Sequence, residues 1–303
     1  MKTVSSIKSV RKILKPLRGK KRIGFVPTMG AFHEGHLSLM RHARKECDFV
    51  VVSLFVNPLQ FGPREDFAAY PRDIVSDRKM TRSAGVDLLW SPSAEEIYPP
   101  FYQTHIDVEE ITRRWEGAAR PGHFRGVATI VAKLFQIVQP DRAYFGQKDY
   151  QQTRVIDRMV NDLNFDISIR VLPTVREKDG LAMSSRNRRL SPVERTAAPI
   201  LYRALKQVEA RIQKGTRDAA ILLAEGESMI RSEPLARIDH LSLCDPETLE
   251  PIDDLMGMVG GRSGNHRVEK TAVLLGAIKI GSVRLIDNLL IHIPSRIPSR
   301  TPS

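Results

Sequence analysis

The stretch "RIGFVPTMGAFHEGHLSLM" (residues 22–40) contains the pattern that decides the fold. A short apolar run is followed by a glycine-containing turn and then by apolar residues at helical spacing. Further apolar runs occur at "FVVVSLFV" (49–56), "VDLLWSP" (86–92), "RAYFG" (142–146) and "ISIRVLP" (167–173). Between the runs, helical periodicity fits residues 35–46, 72–84, 125–138 and 150–163. Near-continuous apolar strands alternating with helices predict an α/β fold, a doubly wound parallel sheet with ligands at the carboxyl ends of its strands.

The chain changes character after about residue 175. "LSPVERTAAPILYRALKQVEARIQKG" (190–215) predicts one long amphipathic helix with Ser191 as its cap and Pro192 in its first turn. A second helix is expected over 217–231, and strands over 238–245 and 270–291. The glycine-rich segment 258–270 is interpreted as a loop. We therefore expect a first domain over 1–175, a smaller α+β domain over 176–290 and a disordered tail over 291–303.

The charge of the chain is concentrated at its N-terminus. The net charge is +12, and residues 1–22 carry nine Lys or Arg and no acid. A mitochondrial presequence can have this composition. The interpretation we prefer is an amphipathic surface helix, because five apolar residues recur at helical spacing: Val4, Ile7, Val10, Leu14 and Leu17.

Several protein classes do not fit the composition. The sequence has no run of 18 apolar residues, so it predicts no membrane span. Two distant cysteines, Cys47 and Cys244, indicate neither a disulfide framework nor a zinc knuckle and fit a reducing, cytoplasmic compartment. A nucleic-acid-binding protein would suit the charge, but aromatic residues are only 6% and no aromatic-interleaved basic patch is present.

The two histidines of the first turn, His33 and His36, are the first candidate site. A helix N-terminus presents free N–H groups and favours an anion, to which both side chains could donate. Gly35 would let a flat ligand lie against the backbone. Two alternatives stay open: a zinc site, although the metalloprotease pair stands at i and i+4 and no third ligand is evident, or core histidines.

Three further polar clusters follow the apolar runs. Asn57 and Gln60 in "NPLQF" carry amides that can read a carboxylate, although Asn-Pro is also a common turn. "GQKDYQQ" offers Lys148 for phosphate and Asp149 for ribose, unless Asp149 is only a helix cap. In "AMSSRN", Met183 to Arg186 suit a triphosphate from a mobile loop. A fourth segment, with Arg120, His123 and Arg125, is a weaker candidate for a phosphate or interface role.

These motifs, in this order, resemble the pantothenate synthetase (pantoate–β-alanine ligase) family. The likeness covers about residues 3–290, and the His-x-Gly-His motif alone would indicate only the wider nucleotidyltransferase superfamily. The resemblance implies a homodimer with a Rossmann-like ATP domain and a C-terminal lid. It also implies a two-step reaction, in which pantoate and ATP give pantoyl adenylate and pyrophosphate, and β-alanine then gives pantothenate and AMP, with Mg²⁺ accompanying ATP.

The resemblance also implies site residues. His36 would be the proton donor, with His33 and Lys148 also catalytic. The residues implied to bind ATP are Met29, Gly30, Ala31, Phe32, His33, Glu34, Gly35, His36, Gly146, Gln147, Lys148, Asp149, Val175, Met183, Ser184, Ser185 and Arg186. Those implied to bind pantoate and β-alanine are Gln60, Gln152 and Asn57. No metal ligand, nucleic-acid partner or membrane partner is implied. The 257–270 segment looks longer than the usual family connection, as a local insertion would be, and the tail after Leu290 has no clear family counterpart. A simple nucleotidyltransferase is the alternative enzyme.

Overall fold

The computed structural model describes residues 1–62, 67, 70–258, 262–263, 266–267 and 270–294. The chain forms two compact units, Met1–Val175 and Arg176–Ser303. Each unit has its own hydrophobic core. Most of the predicted tail, from residue 295 onward, lies outside the described residues, and so does part of the glycine-rich segment.

The first unit is built on a six-stranded parallel sheet with the order β1-β4-β3-β2-β5-β6. Its strands are β1 (Lys2–Val4), β2 (Ile23–Thr28), β3 (Phe49–Leu54), β4 (Leu88–Trp90), β5 (Arg142–Gly146) and β6 (Ser168–Leu172). From β2 the chain runs outward through β3 to β4, and it then returns to place β5 on the other side of β2. The β2–β5 boundary is therefore the switch point, where α/β sheets bind ligands beyond the strand ends.

Helices cover both faces of this sheet, as the α/β prediction requires. They are α1 (Ile7–Leu14), α2 (Glu34–Glu46), α3 (Ile74–Ser83), α4 (Ala94–Ile97), α5 (Glu116–Ala119), α6 (His123–Val138) and α7 (Tyr150–Asp162). Adjacent residues of β2 show the arrangement. Val26 lies in the core cluster with Met40 of α2, whereas Phe25 packs edge-on against Phe135 of α6, with ring centroids 6.3 Å apart. Successive strand side chains point to opposite faces, so both faces are filled.

The prediction of a single N-terminal helix is wrong at its first residue. Val4 lies in β1 and is paired with Trp90 of β4, and the helix begins only at Ile7, after the cap Ser6. Val10 and Leu14 are buried as expected. A three-residue edge strand has too few residues to show a period of its own, so its position depends on the neighbouring strand rather than on local sequence.

In the residues that the structure describes, the second unit combines three α-helices with an antiparallel sheet in the order β11-β10-β7. The strands are β7 (Ala236–Cys244), β10 (Lys270–Ile280) and β11 (Val283–Ile293), and the helices are α8 (Pro192–Ala197), α9 (Ile200–Gln213) and α10 (Ala219–Arg231). The predicted long helix is therefore two helices. Pro199 stands at the N-cap of α9, because it has no N–H to continue the ladder of α8.

The boundaries near the C-terminus also differ from the prediction. β11 extends to Ile293, which pairs with Lys270, so the tail does not begin at residue 291. Within the glycine-rich segment, β8 (Arg262–Ser263) and β9 (His266–Arg267) form an antiparallel pair where only a loop was expected. None of the helices in the described part of the chain is long and apolar enough to cross a membrane.

Candidate active site

The turn between β2 and α2 has a left-handed backbone at two consecutive residues. Gly30 has φ +84° and Ala31 has φ +53°, and the second value is unusual for a residue with a side chain. Both residues lie at the carboxyl end of β2, at the switch point of the sheet. Strained backbone at such a place persists only where other contacts hold it.

The contact that holds this turn comes from Asp77 of α3, a residue that the sequence patterns do not single out. Its carboxylate accepts hydrogen bonds from the backbone N–H of Ala31 (3.0 Å) and of Phe32 (2.9 Å), and only 2% of Asp77 is exposed. Hydrogen bonds to a buried carboxylate are strong. No local motif links residues 45 positions apart, so sequence periodicity could not have identified this pair.

His33 caps α2 and fills the space above Gly35. Its Nδ1 accepts a hydrogen bond from Gly35 N at 3.2 Å. A Cβ at Gly35 would lie 2.9 Å from the His33 ring, so the imidazole lies directly against this glycine. Because Nδ1 of His33 is an acceptor here, its neutral ring carries the proton on Nε2.

His36 contacts two neighbouring rings at the start of α2. Its ring centroid lies 4.2 Å from that of His33 and 5.3 Å from that of Phe32, and both ring pairs are tilted. Burial, followed by the charge of His33, lowers the pKa of His36 to about 3; Lys148 also lowers it, whereas Asp149 opposes the shift. The imidazole is therefore neutral at pH 7. Its Nδ1 is buried and has no hydrogen-bond partner among the described residues.

The remaining residues of the first motif contribute mainly backbone. Ala31 and Phe32 are buried. Glu34 is exposed and pairs with Arg41, two turns along α2. Met29 Sδ accepts from Gln60 Nε2 at 3.0 Å, which joins the first motif to the second.

Gln60 and Asn57 form a buried amide pair on the 3₁₀ turn Pro58–Gln60. Asn57 Nδ2 donates to Gln60 Oε1 (3.2 Å) and to Gly126 O (3.0 Å). Asn57 Oδ1 accepts from Leu59 N and from the hydroxyl of Tyr98. Every polar atom of the Asn57 amide is thus engaged within the protein, so Asn57 supports Gln60 and has no amide atom left for a substrate.

Of the three weaker candidates from the sequence, Arg120 and His123 contact the backbone of Gln60. His123 Nδ1 is 2.9 Å from the Gln60 carbonyl oxygen, and Arg120 donates to the same oxygen at 3.4 Å. Arg120 also meets His123 Nε2 at 3.0 Å. Arg125 lies elsewhere, half-exposed and paired with Asp107. The backbone of Gln60 is therefore anchored by the segment that precedes α6.

The third motif follows β5, on the other side of the switch point. Gln147–Asp149 forms a 3₁₀ turn, and Lys148 Nζ lies 3.5 Å from Asp149 Oδ1. Asp149 occupies the N-cap position of α7, but its side chain makes no capping hydrogen bond, so capping does not explain it. Of the two glutamines that follow, Gln151 is buried and bonded to backbone, whereas Gln152 is half-buried.

The fourth motif lies in the second unit and includes a short 3₁₀ helix. Ser184 caps the 3₁₀ helix Ser185–Arg189 by accepting from Arg186 N at 3.2 Å. An isolated bridge between Arg176 and Ala182 closes the preceding turn. Arg176 forms a two-pronged ion pair with the buried Asp287 (2.5 and 2.9 Å). Val175 is the last residue of the first unit and is half-buried.

Metal coordination is a poor description of the two histidines. The residues that the structure describes contain no group of three or more His, Cys, Asp or Glu arranged to hold a metal ion. His33 Nδ1 is also engaged by Gly35 N. The arrangement is instead two imidazoles at the start of α2 and a lysine just before α7, which is suited to binding and polarising an anionic ligand.

Comparison with known proteins identifies the family. A model of the pantoate–β-alanine ligase family matches residues 2–290. The pantothenate synthetase of Heliobacterium modesticaldum is 53% identical over 276 residues, which are 91% of this chain and 94% of that one. The pantothenate synthetase of Moorella thermoacetica is 49% identical and covers 97% of this chain and 99% of its own.

Solved structures give the same result. The crystal structure of the pantothenate synthetase from Thermus thermophilus superposes with a TM-score of 0.87 at 50% identity, covering 95% of this chain and 99% of that one. The Francisella tularensis pantoate–β-alanine ligase, solved with a β,γ-ATP ligand and β-alanine, superposes with a TM-score of 0.76 at 35% identity, covering 96% and 97%. The chain therefore belongs to the pantoate–β-alanine ligase family.

Proposed function

We propose that this protein condenses (R)-pantoate with β-alanine in an ATP-dependent, AMP-forming reaction, and that its chemistry takes place where β2 and β5 end. The observation that carries the proposal is the family match over residues 2–290, and the position of His36 and the Lys148–Asp149 pair after the adjacent strands β2 and β5 supports it. The Francisella relative was solved with an ATP ligand and β-alanine, which supports both as substrates here.

The first step needs alignment and charge stabilisation rather than a base. A pantoate carboxylate is already anionic at pH 7, since its pKa is about 4. One of its oxygens attacks the α-phosphorus of ATP, an O–P bond forms, and the bond from the α-phosphorus to the bridging oxygen breaks to release pyrophosphate. Neutral His36 donates a hydrogen bond through one N–H while Lys148 supplies positive charge, and both act on the charge that develops in transfer.

The second step forms the amide. The neutral amine of β-alanine attacks the carbonyl carbon of pantoyl adenylate, a C–N bond forms, and the C–O bond to AMP breaks. The attacking nitrogen loses a proton, which passes to water. Gln60 and Gln152 are assigned to pantoate, and Asp149 to the ribose of ATP.

The ATP-binding assignment of the remaining motif residues follows the same proposal. Met29 to Gly35 contribute backbone at the β2–α2 junction, and Gly146 and Gln147 do so after β5. Met183 to Arg186 and Val175 remain predicted contacts of ATP. Asn57 is assigned a supporting role, because its amide is fully used within the protein.

Mg²⁺ fits this site as a companion of the triphosphate. No described residue cluster would hold the ion by itself, and Mg²⁺ commonly binds through substrate phosphates and waters with few protein carboxylates. Half-exposed Asp149 is the carboxylate of the β5 motif that could assist. When bound, the ion would neutralise phosphate charge. A homodimer in the cytoplasm is the assembly and location that we propose from the family.

The proposal is tested by product formation with each substrate omitted in turn. AMP and pyrophosphate should form over many turnovers only when ATP, pantoate and β-alanine are all present. Formation of ADP, or no AMP with the complete mixture, contradicts the proposal. Sustained pyrophosphate release without β-alanine and without free AMP would instead indicate a simple nucleotidyltransferase, because that enzyme leaves the nucleotide on its acceptor.

Site variants test the residue assignment. His36→Ala and Lys148→Ala should each lower kcat by ~10²-fold or more, the scale for losing one donor to developing charge. His42→Ala is the matched control, since His42 lies on the same helix but bonds back to Ser38 O. Near wild-type turnover in both site variants, or equal losses in the control, would refute the assignment.

A further inference from the structure

Tyr98 is a residue outside all four motifs that reaches the amide pair. It follows α4, and its hydroxyl lies 2.8 Å from Asn57 Oδ1. Its ring lies in an aromatic group with Phe55 (centroids 6.1 Å apart) and Tyr102 (4.9 Å). Lys133 Nζ lies 5.4 Å from the Tyr98 ring centroid and donates to Ile97 O. Tyr98 is thus held firmly, and its burial raises its pKa, which keeps the hydroxyl protonated and able to donate.

The hydrogen-bond partners of Asn57 leave only one orientation for its amide. Gly126 O can only accept, so it must face the NH₂ group of Asn57, and Leu59 N–H can only donate, so it must face Oδ1. The Tyr98 hydroxyl, which also lies against Oδ1, is therefore the donor of its hydrogen bond. The bond from Tyr98 to this oxygen is shorter than the bond from Leu59 N, at 2.8 Å against 3.3 Å, and Tyr98 belongs to a separate segment of the chain.

The orientation of Asn57 in turn sets that of Gln60. The second N–H of Asn57 points to Gln60 Oε1, so the NH₂ group of Gln60 is the end that remains. This NH₂ group faces Met29 Sδ, which is a weak acceptor. A substrate at Gln60 therefore meets a donor, which complements a carboxylate or hydroxyl oxygen and not a second donor.

We propose that Tyr98 is a positioning residue for pantoate. Acting through Asn57, it holds Gln60 with its NH₂ group toward the oxygens of the hydroxy acid. This inference deepens the proposed function and rests on the assignment of Gln60 to pantoate. It predicts an effect on pantoate recognition that is separate from ATP recognition, because the hydroxyl of Tyr98 bonds to the amide pair and not to the β2–α2 or β5–α7 junction.

The test is Tyr98→Phe, which removes one hydroxyl and keeps the ring. The loss of one neutral hydrogen bond corresponds to about 2- to 13-fold in binding, so the KM for pantoate should rise ~3- to 10-fold. The KM values for ATP and β-alanine should stay within about twofold, and the thermal midpoint should change little. Tyr102→Phe is the matched control, because it removes a hydroxyl from the same aromatic group but one that does not bond to Asn57.

Gln60→Ala separates the inference from the proposed function. If Gln60→Ala raises the KM for pantoate but Tyr98→Phe leaves it unchanged, the role of Tyr98 is overturned and the function stands. If Gln60→Ala leaves the KM for pantoate unchanged, the assignment of Gln60 fails, and the inference fails with it. Equal changes in all three KM values, or the same change in Tyr102→Phe, would show a general structural effect and would also overturn the inference.

Discussion

Replacing Asp77 should release the turn between β2 and α2, which we propose to bind ATP, without unfolding the domain. Its carboxylate is the acceptor for two buried backbone N–H groups, those of Ala31 and Phe32. Asp77→Asn keeps one acceptor oxygen and turns an NH₂ group toward the other N–H, so one buried donor loses its partner. An unsatisfied buried donor costs about 1–3 kcal/mol. The left-handed backbone of Ala31 is strained by a further ~1–2 kcal/mol, and the turn can relax once it is no longer held.

This estimate converts to a measurable loss of catalytic efficiency. About 1–3 kcal/mol corresponds to roughly 5- to 150-fold, and we expect kcat/KM for ATP to fall ~10- to 100-fold in Asp77→Asn. Hydrogen exchange of the amides of Ala31 and Phe32 should accelerate in parallel, while amides of the β3 strand keep their protection. The assay is pyrophosphate release with varied ATP at saturating pantoate and β-alanine.

Asp73→Asn provides the matched control for the loss of charge. Asp73 lies one turn earlier and caps α3 through Ser76 N (3.0 Å), and asparagine caps a helix as well as aspartate does. Both variants remove one negative charge from the same helix, but only Asp77→Asn removes an acceptor from the turn. If the two variants have the same kcat/KM for ATP and the same exchange rates, the reasoning is refuted.

Three further predictions concern the backbone at Gly30, the protonation of His36 and the buried ion pair of Asp287. Gly30→Ala should lower the urea midpoint and the activity more than Gly19→Ala does. Both glycines have positive φ, but only a Cβ at Gly30 would meet a neighbour, the buried carboxylate of Asp77 at 2.8 Å. Equal effects of the two variants would contradict the role of that contact. The pKa of His36 is lowered to about 3 in the folded state, so the unfolded state binds more protons as the pH falls below about 6.5. Urea unfolding at pH 6.5 and 4.5 should therefore show that wild type loses about 2 kcal/mol more stability on acidification than His36→Gln; equal losses in the two proteins would contradict the lowered pKa. Asp287→Asn should lower the free energy of unfolding of the second unit by about 3–5 kcal/mol, because it leaves the guanidinium of Arg176 without its buried carboxylate. Glu227→Gln, which breaks the exposed pair with Arg231, should change it by less than ~0.5 kcal/mol, and similar effects of the two variants would contradict the importance of burial.

Much of this architecture could be predicted from sequence because it depends on local patterns. The apolar runs at β2, β3 and β5 are bounded by polar turns, and each is followed by helical periodicity, so the parallel sheet and the motif positions could be inferred without contacts. The order of the motifs then placed His36 and Lys148 after strands that the sheet brings together.

The elements that sequence patterns missed depend on contacts between distant segments. β1 exists because its three residues pair with β4, more than 80 positions away. Asp77 and Tyr98 contact the site from helices or turns whose own sequences show nothing unusual. Pro199 was visible in the sequence, but the apolar period continues across it and favoured one helix over two.

The roles of individual glycines were the least accessible to sequence reasoning. A glycine in a turn indicates that a side chain would be unfavourable there, but it does not reveal what occupies the space instead. At Gly35 the occupant is a ring from two positions earlier in the same chain.

The packing of His33 against Gly35 has a consequence for how this motif can change in evolution. A side chain at position 35 would place its Cβ 2.9 Å from the imidazole that caps α2, so the imidazole would have to shift and its hydrogen bond to Gly35 N would weaken. The two positions are therefore coupled. A lineage that abandons the glycine must also give up the histidine cap, so among distant descendants of this fold we expect the pair to be kept together or replaced together.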